Sequence, residues 1–218
     1  KMGITTWNNP ERFGLSAALG AGEVKMTDMA VAFGIFANKG YKVPLNPFVK
    51  ITDDNGFELY KAKNGKEKIL PYEITFIISD ILSDDFARSF AFGRNSLLNI
   101  PGYRVAVKTG TTNNLRDNWA IGYTPEYLVA SWVGNNDNSP MKGVASGITG
   151  ATPIWNRVMR HLLVNYQKDN IWYKKSDNIV EKRCFYGRIE YFVKGTEINM
   201  CAPGDLTPSP TNAAENTP

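Results

Sequence analysis

Three consecutive residues, Lys108-Thr109-Gly110, stand at the end of a strand-like run, residues 103–112, reading YRVAVKTGTT. Val105, Val107, Thr109 and Thr111 recur at every second position, the period of a β-strand rich in β-branched side chains. Lys108 brings a fixed positive charge, and Thr109 brings a hydroxyl that both donates and accepts. Gly110 has no side chain, so a second backbone can approach the strand there. The chemistry this permits is capture of an extended peptide by strand addition, with lysine and threonine gripping its terminal carboxylate.

Other elements must position this strand. Residues 25–39 read as a helix, with Met26, Met29, Ala30, Phe33, Phe36 and Ala37 on its inward stripe and Gly40 as its stop. Two short strands flank Asp53-Asp54-Asn55-Gly56, a hairpin signal, and residues 61–68 form a charged loop. Pro71 opens a second helix, residues 72–83, with Ile74, Ile77, Ile78, Ile81 and Leu82 inward. Residues 84–101 read as irregular. Beyond the organising strand, residues 119–124 and 127–134 form an antiparallel hairpin through Pro125-Glu126. A long polar loop follows, and Thr152 caps a helix with Pro153 in its first position, running to Gln167. Phe33, Phe36 and Trp155 read as core. The arrangement is α+β, an antiparallel sheet flanked by helices. It divides into residues 1–167, a small satellite over 168–202, and a Pro-, Thr- and Ser-rich tail, 203–218, expected to be disordered.

The totals exclude several functions. A net charge of +4 on 218 residues, with lysines and arginines scattered among acids, gives no nucleic-acid footprint. No run is long and apolar enough to span a membrane. Cys184 and Cys201 lack partners at metal-ligand spacing, so zinc is not expected, and with no Gly-rich phosphate loop or metal-ligand cluster in the sequence neither is a cofactor. They are either a disulfide across a hairpin or two separate buried thiols. His161 is the one histidine, which makes a Ser-His-Asp triad a poor reading.

The order of the pieces resembles the transpeptidase domain of penicillin-binding proteins. The Lys-Thr-Gly strand, the short polar loop, Asp117-Asn118-Trp119 and the hairpin ending WVGNNDNSPM carry the likeness. The segments GAGEVKMTDMAVAFGIFANKG, ATPIWNRVM and EYFVKGTEINMC extend it, and several resemble the bifunctional, class A members in particular. The resemblance implies serine acyl transfer on peptidoglycan. A serine attacks a D-Ala-D-Ala stem peptide, and an amine from a second stem resolves the acyl-enzyme. Lys108 would be the catalytic lysine of the third motif, holding the substrate carboxylate and easing proton transfer. Thr109 and Thr111 would bind that carboxylate through their hydroxyls, and the Thr111 N–H would be an oxyanion donor. Gly110 would let the substrate lie against the strand, and Thr112 would close the motif. Asp117 and Trp119 read as shaping the following turn. The implied partners are stem peptides and β-lactams, at the extracytoplasmic face of a bacterial plasma membrane. The family further implies a membrane anchor and an upstream glycosyltransferase domain.

The sequence departs from the family in one respect. Ser-x-x-Lys and Ser-x-Asn should precede Lys108, and neither does. Ser139-Pro140-Met141-Lys142 and Ser176-Asp177-Asn178 match literally but follow it, and are read as accidental. The chain therefore reads as the C-terminal portion of a transpeptidase domain, supplying the binding strand without the nucleophile. The alternatives are a stem-peptide-binding module without chemistry and a fragment of a related carboxypeptidase or β-lactamase.

Overall fold

The computed structural model describes residues 1–12, 14–15, 20, 22–63, 65–142, 149–167, 169–184 and 187–197. It contains two compact units, Lys1–Tyr173 and Lys174–Pro218. The larger is built on a three-stranded antiparallel meander, β5 (Ala106–Thr111), β6 (Asp117–Tyr123) and β7 (Leu128–Gly134), in that spatial order. Lys108 pairs with Ile121, and Trp119 with Trp132.

Alternation along these strands gives the sheet two faces. On one lie Val105, Val107, Ala120 and Val129, packed against Ala151, Trp155, Met159 and Leu163 of α4 (Ala151–Tyr166). Trp155 is completely buried there. On the other lie Ile121 and Tyr123, facing α1 (Met26–Ala37) and α2 (Tyr72–Ser83). The Phe33 ring meets Tyr123 edge-on, and the Tyr123 and Ser79 hydroxyls share a buried 2.9 Å hydrogen bond.

α1 and α2 form where the periodicity puts them, but their inward faces are rotated. Asp28, Ala32, Ile35 and Ala37 are the buried residues of α1, and Met26 is exposed. The carboxylate of Asp28 explains its place: it accepts from both the Thr5 amide and hydroxyl at 2.7 Å. On α2 the buried residues are Thr75, Phe76 and Ser79, while Ile74 and Ile81 are exposed. Hydrogen bonds from Ser79 to Tyr123 and from Thr75 to the Tyr72 carbonyl let these small polar groups face inward. Phe33 and Phe36 are half-buried rather than central. Gly40 ends α1 as expected. Its φ of 90° and its N–H to the Ile35 carbonyl close the helix.

Three further differences have local causes. Residues 84–101 contain a helix, α3 (Asp85–Phe92), capped by the Asp84 carboxylate on the Ala87 amide. The charged loop contains β4 (Glu67–Lys68), paired with β1 (Tyr41–Lys42) and held by Lys42 and Glu67 at 2.7 Å. The first turn of α4 is capped by Asn118 from β6, whose Oδ1 accepts from the Ala151 amide at 2.7 Å, and not by Thr152, which is buried inside the helix. The expected Asp-Asp-Asn-Gly hairpin forms as β2 (Lys50–Thr52) and β3 (Glu58–Lys61).

In the smaller unit β8 (Ile179–Arg183) pairs with β9 (Ile189–Val193). Cys184, after β8, is buried and disulfide-bonded. Its candidate partner Cys201 and the tail 203–218 lie outside the described residues.

Tyr123 ties stability to alkaline pH. Burial raises its phenol to about 12, the Ser79 hydrogen bond pulling slightly the other way. An unfolded tyrosine ionises near 10, so between pH 10 and about 12 the unfolded chain loses a proton that the folded chain keeps. Stability from this group is fully present below about pH 10 and is lost as pH rises through about 12. Tyr123→Phe is expected to show a shallower fall in melting temperature across that window. Identical slopes would refute the assignment.

Candidate functional site

β5 is an edge strand, and Lys108, Gly110 and Thr111 on it are exposed. The backbone bond from the Thr112 N–H to the Asp117 carbonyl, at 3.1 Å, sets the phase of the ladder. Antiparallel pairs alternate, so Lys108, Gly110 and Thr112 direct their backbone groups at β6. Thr109 and Thr111 direct theirs at the open edge. The Lys108 ammonium marks this, since it donates to the Thr109 carbonyl at 2.6 Å. The Thr111 N–H thus points where an added strand would lie.

The side chains divide differently. Lys108 shares the face of Ile121 and Tyr123, whereas Thr109 and Thr111 project from the opposite face. The ammonium and the two hydroxyls reach one ligand only around the open edge. A methyl group on Gly110 would meet nothing nearer than the Trp119 Cβ, at 3.9 Å. The fold itself therefore has room for a side chain at this position. Thr112 differs from its neighbours: its hydroxyl bridges the strand ends, accepting from the Asp117 amide at 3.0 Å and donating to the Asp117 carbonyl at 3.3 Å.

A brace behind this edge was not visible in local sequence. Asn118 is fully buried, and its cap on α4 leaves so little space that a methyl on Gly150 would fall 2.4 Å from its Oδ1. Asp117 accepts from the Trp132 indole at 2.9 Å. The turn between β5 and β6 holds Asn114 and Leu115 at positive φ. It is stitched to the next loop by Arg116 on the Asn138 carbonyl and by the Met141 amide on the Leu115 carbonyl. Only the pairing of residues far apart in the chain reveals these contacts.

The literal Ser-x-x-Lys match does not meet the lysine. The Ser139 hydroxyl donates to Asp137 at 2.7 Å and accepts from Asn135 at 3.0 Å, within its own loop. Among the described residues no cluster of histidine, cysteine and carboxylates could hold a metal ion.

A protein-family model, the penicillin binding protein transpeptidase domain, matches residues 4–160. The chain belongs to this family. It is 32% identical over 179 residues to penicillin-binding protein 1A of Clostridium botulinum, covering 76% of this chain. It spans 21% of that relative's length. Among solved structures it is similar to penicillin-binding protein 1A of Haemophilus influenzae, with a TM-score of 0.65 at 23% identity, over 87% of this chain and 35% of that one. It is also similar to PonA1 of Mycobacterium tuberculosis in complex with penicillin V, with a TM-score of 0.62 at 22% identity, over 81% of this chain and 50% of that one. The α+β architecture is thus that of penicillin-binding transpeptidases, and the relatives are class A members.

Proposed function

We propose that this penicillin-binding-protein chain supplies the substrate-gripping part of a peptidoglycan D,D-transpeptidase. The observation that carries this is the open edge of β5, with the Thr111 N–H directed outward beside the exposed Lys108 ammonium. A stem peptide ending in D-Ala-D-Ala adds along that edge, its carboxylate held by Lys108 and by the Thr109 and Thr111 hydroxyls. The Thr111 N–H faces the scissile carbonyl and donates to the oxyanion as the carbonyl becomes tetrahedral. Lys108 lowers the cost of moving the nucleophile's proton towards the leaving D-alanine. Gly110, for which the fold leaves space, admits the substrate backbone.

The attacking serine comes from the family's first motif, which does not occur before Lys108 in this sequence. The PonA1 neighbour, in complex with penicillin V, supports β-lactams as a second class of ligand. The whole protein acts at the extracytoplasmic face of the membrane, with an anchor and a glycosyltransferase domain. Incubating the purified chain with fluorescent penicillin is expected to leave no covalent adduct after denaturing electrophoresis. One adduct per chain would overturn the division of labour proposed here and would direct attention to Ser139.

A further inference from the structure

We propose that the β2–β3 ribbon, with the lysines at its base, is a docking surface for an anionic lipid bilayer. Every residue over 43–61 is exposed except the half-buried Asp53. Among the described residues the two strands pair only with each other. Many of the exposed side chains are large and apolar: Val49 is 80% exposed, Phe57 69% and Leu59 68%, with Leu45, Phe48, Ile51 and Tyr60 also exposed. A two-stranded ribbon is marginal alone and gains stability when its apolar side chains are covered. Leu59 and Tyr60 are successive residues of one strand and so point to opposite faces, yet both are exposed, the Tyr60 hydroxyl accepting from the Asn46 side-chain amide at 2.8 Å. A rigid partner covers one face of a ribbon, whereas the fluid boundary of a bilayer closes around both.

Charge selects the surface. Residues 39–68 hold Lys39, Lys42, Lys50, Lys61, Lys63, Lys66 and Lys68 against Asp53, Asp54, Glu58 and Glu67. Lys42 is paired with Glu67 at 2.7 Å and Lys50 with Glu58 at 3.8 Å. The Asp53 carboxylate accepts from the Asn55 and Phe57 amides, at 3.0 and 2.8 Å. The remaining lysines have no carboxylate at ion-pair distance among the described residues. Lys66 and Lys68 stand over the Tyr41 ring, 4.8 and 4.5 Å from its centre, which concentrates positive charge at the ribbon's base. Apolar side chains interleaved with lysines fit the headgroup boundary of an anionic membrane, where both terms add. The aspartates occupy the turn at the tip, so the ribbon enters the headgroup boundary along a long edge, with both faces covered, rather than tip first.

The test is flotation of the whole chain with vesicles of equal parts phosphatidylglycerol and phosphatidylcholine, compared with phosphatidylcholine alone. The chain is expected to float with the first and not with the second. Phe57→Ser with Leu59→Ser is expected to weaken binding by at least about tenfold. Lys61→Glu and Lys63→Glu should each cost about fivefold or more. All four positions are exposed, so the melting transition should not move. Phe90→Ser, on α3, whose N-terminal end carries Asp84 and Asp85, removes another exposed apolar group and is expected to leave flotation unchanged. No flotation, equal flotation on neutral vesicles, or binding that survives the Phe57 and Leu59 changes would each overturn the proposal. None of these outcomes bears on the β5 edge, which the ribbon does not touch in sequence or sheet.

Discussion

Replacing Trp155 by alanine is expected to lower the unfolding free energy by about 3–5 kcal/mol, the usual loss for a buried aromatic. Trp155 is fully buried at the centre of the cluster that joins α4 to the sheet. Its ring fills the space above Gly122 so closely that a methyl there would lie 2.5 Å from Trp155 Cζ2 and 2.8 Å from the Ala106 carbonyl. Gly122→Ala should therefore also be destabilising, from overpacking rather than from a cavity. Combining the two substitutions separates the causes. The tryptophan contact disappears in the double variant while the backbone clash with Ala106 remains, so the double variant is expected to lose less than the two single losses added together. Trp155 Nε1 has no hydrogen-bond partner among the described residues, so Trp155→Phe removes a buried unsatisfied donor along with some volume and should cost less than alanine. Denaturant midpoints measure all four variants. A loss under about 1 kcal/mol for Trp155→Ala would mean that α4 is not seated as described.

The same residues show what a sequence can and cannot reveal. Trp155 as core and the β6–β7 hairpin were legible because apolar spacing and a two-residue turn are local signals. The ends of α1 and α2 were legible for the same reason, through Gly40 and Pro71. The faces of those helices were not. Ser79 and Thr75 look like surface residues until Tyr123, far along the chain, and the Tyr72 carbonyl give them partners. α3 escaped notice because it is only 8 residues long, too short for its Phe86–Phe90 spacing to stand out as a helical period, and none of its residues is fully buried. The helix cap from Asn118 is long-range as well, with 33 residues separating donor from acceptor. At the site, the chemical groups could be read directly from Lys108-Thr109-Gly110. The direction of each backbone group could not. It depends on which residue of β5 faces which residue of β6, and a shift of one position would turn the Thr111 N–H inward.

That register gives the strongest prediction about binding. Lys108 donates to the Thr109 carbonyl, a group on the same open edge that an added peptide would use. A peptide carboxylate offers the ammonium a charged acceptor in exchange, and such a hydrogen bond contributes about 1.5–3 kcal/mol. Lys108→Met is therefore expected to weaken binding of diacetyl-Lys-D-Ala-D-Ala by roughly 10- to 100-fold in calorimetric titration. Lys108→Arg keeps the charge with a different reach and should fall between the two. Thr109→Val keeps the strand shape and removes one hydroxyl, for a smaller loss. Raising the salt concentration should weaken the parent chain more than Lys108→Met, because on this reading only the parent would bind through the Lys108 charge. Because Lys108 is exposed and lies outside the core, the melting temperature should stay constant across the series. If the methionine variant bound the peptide as tightly as the parent chain, Lys108 would be an ordinary surface lysine, and the peptide's carboxylate would have to be held elsewhere than on this edge.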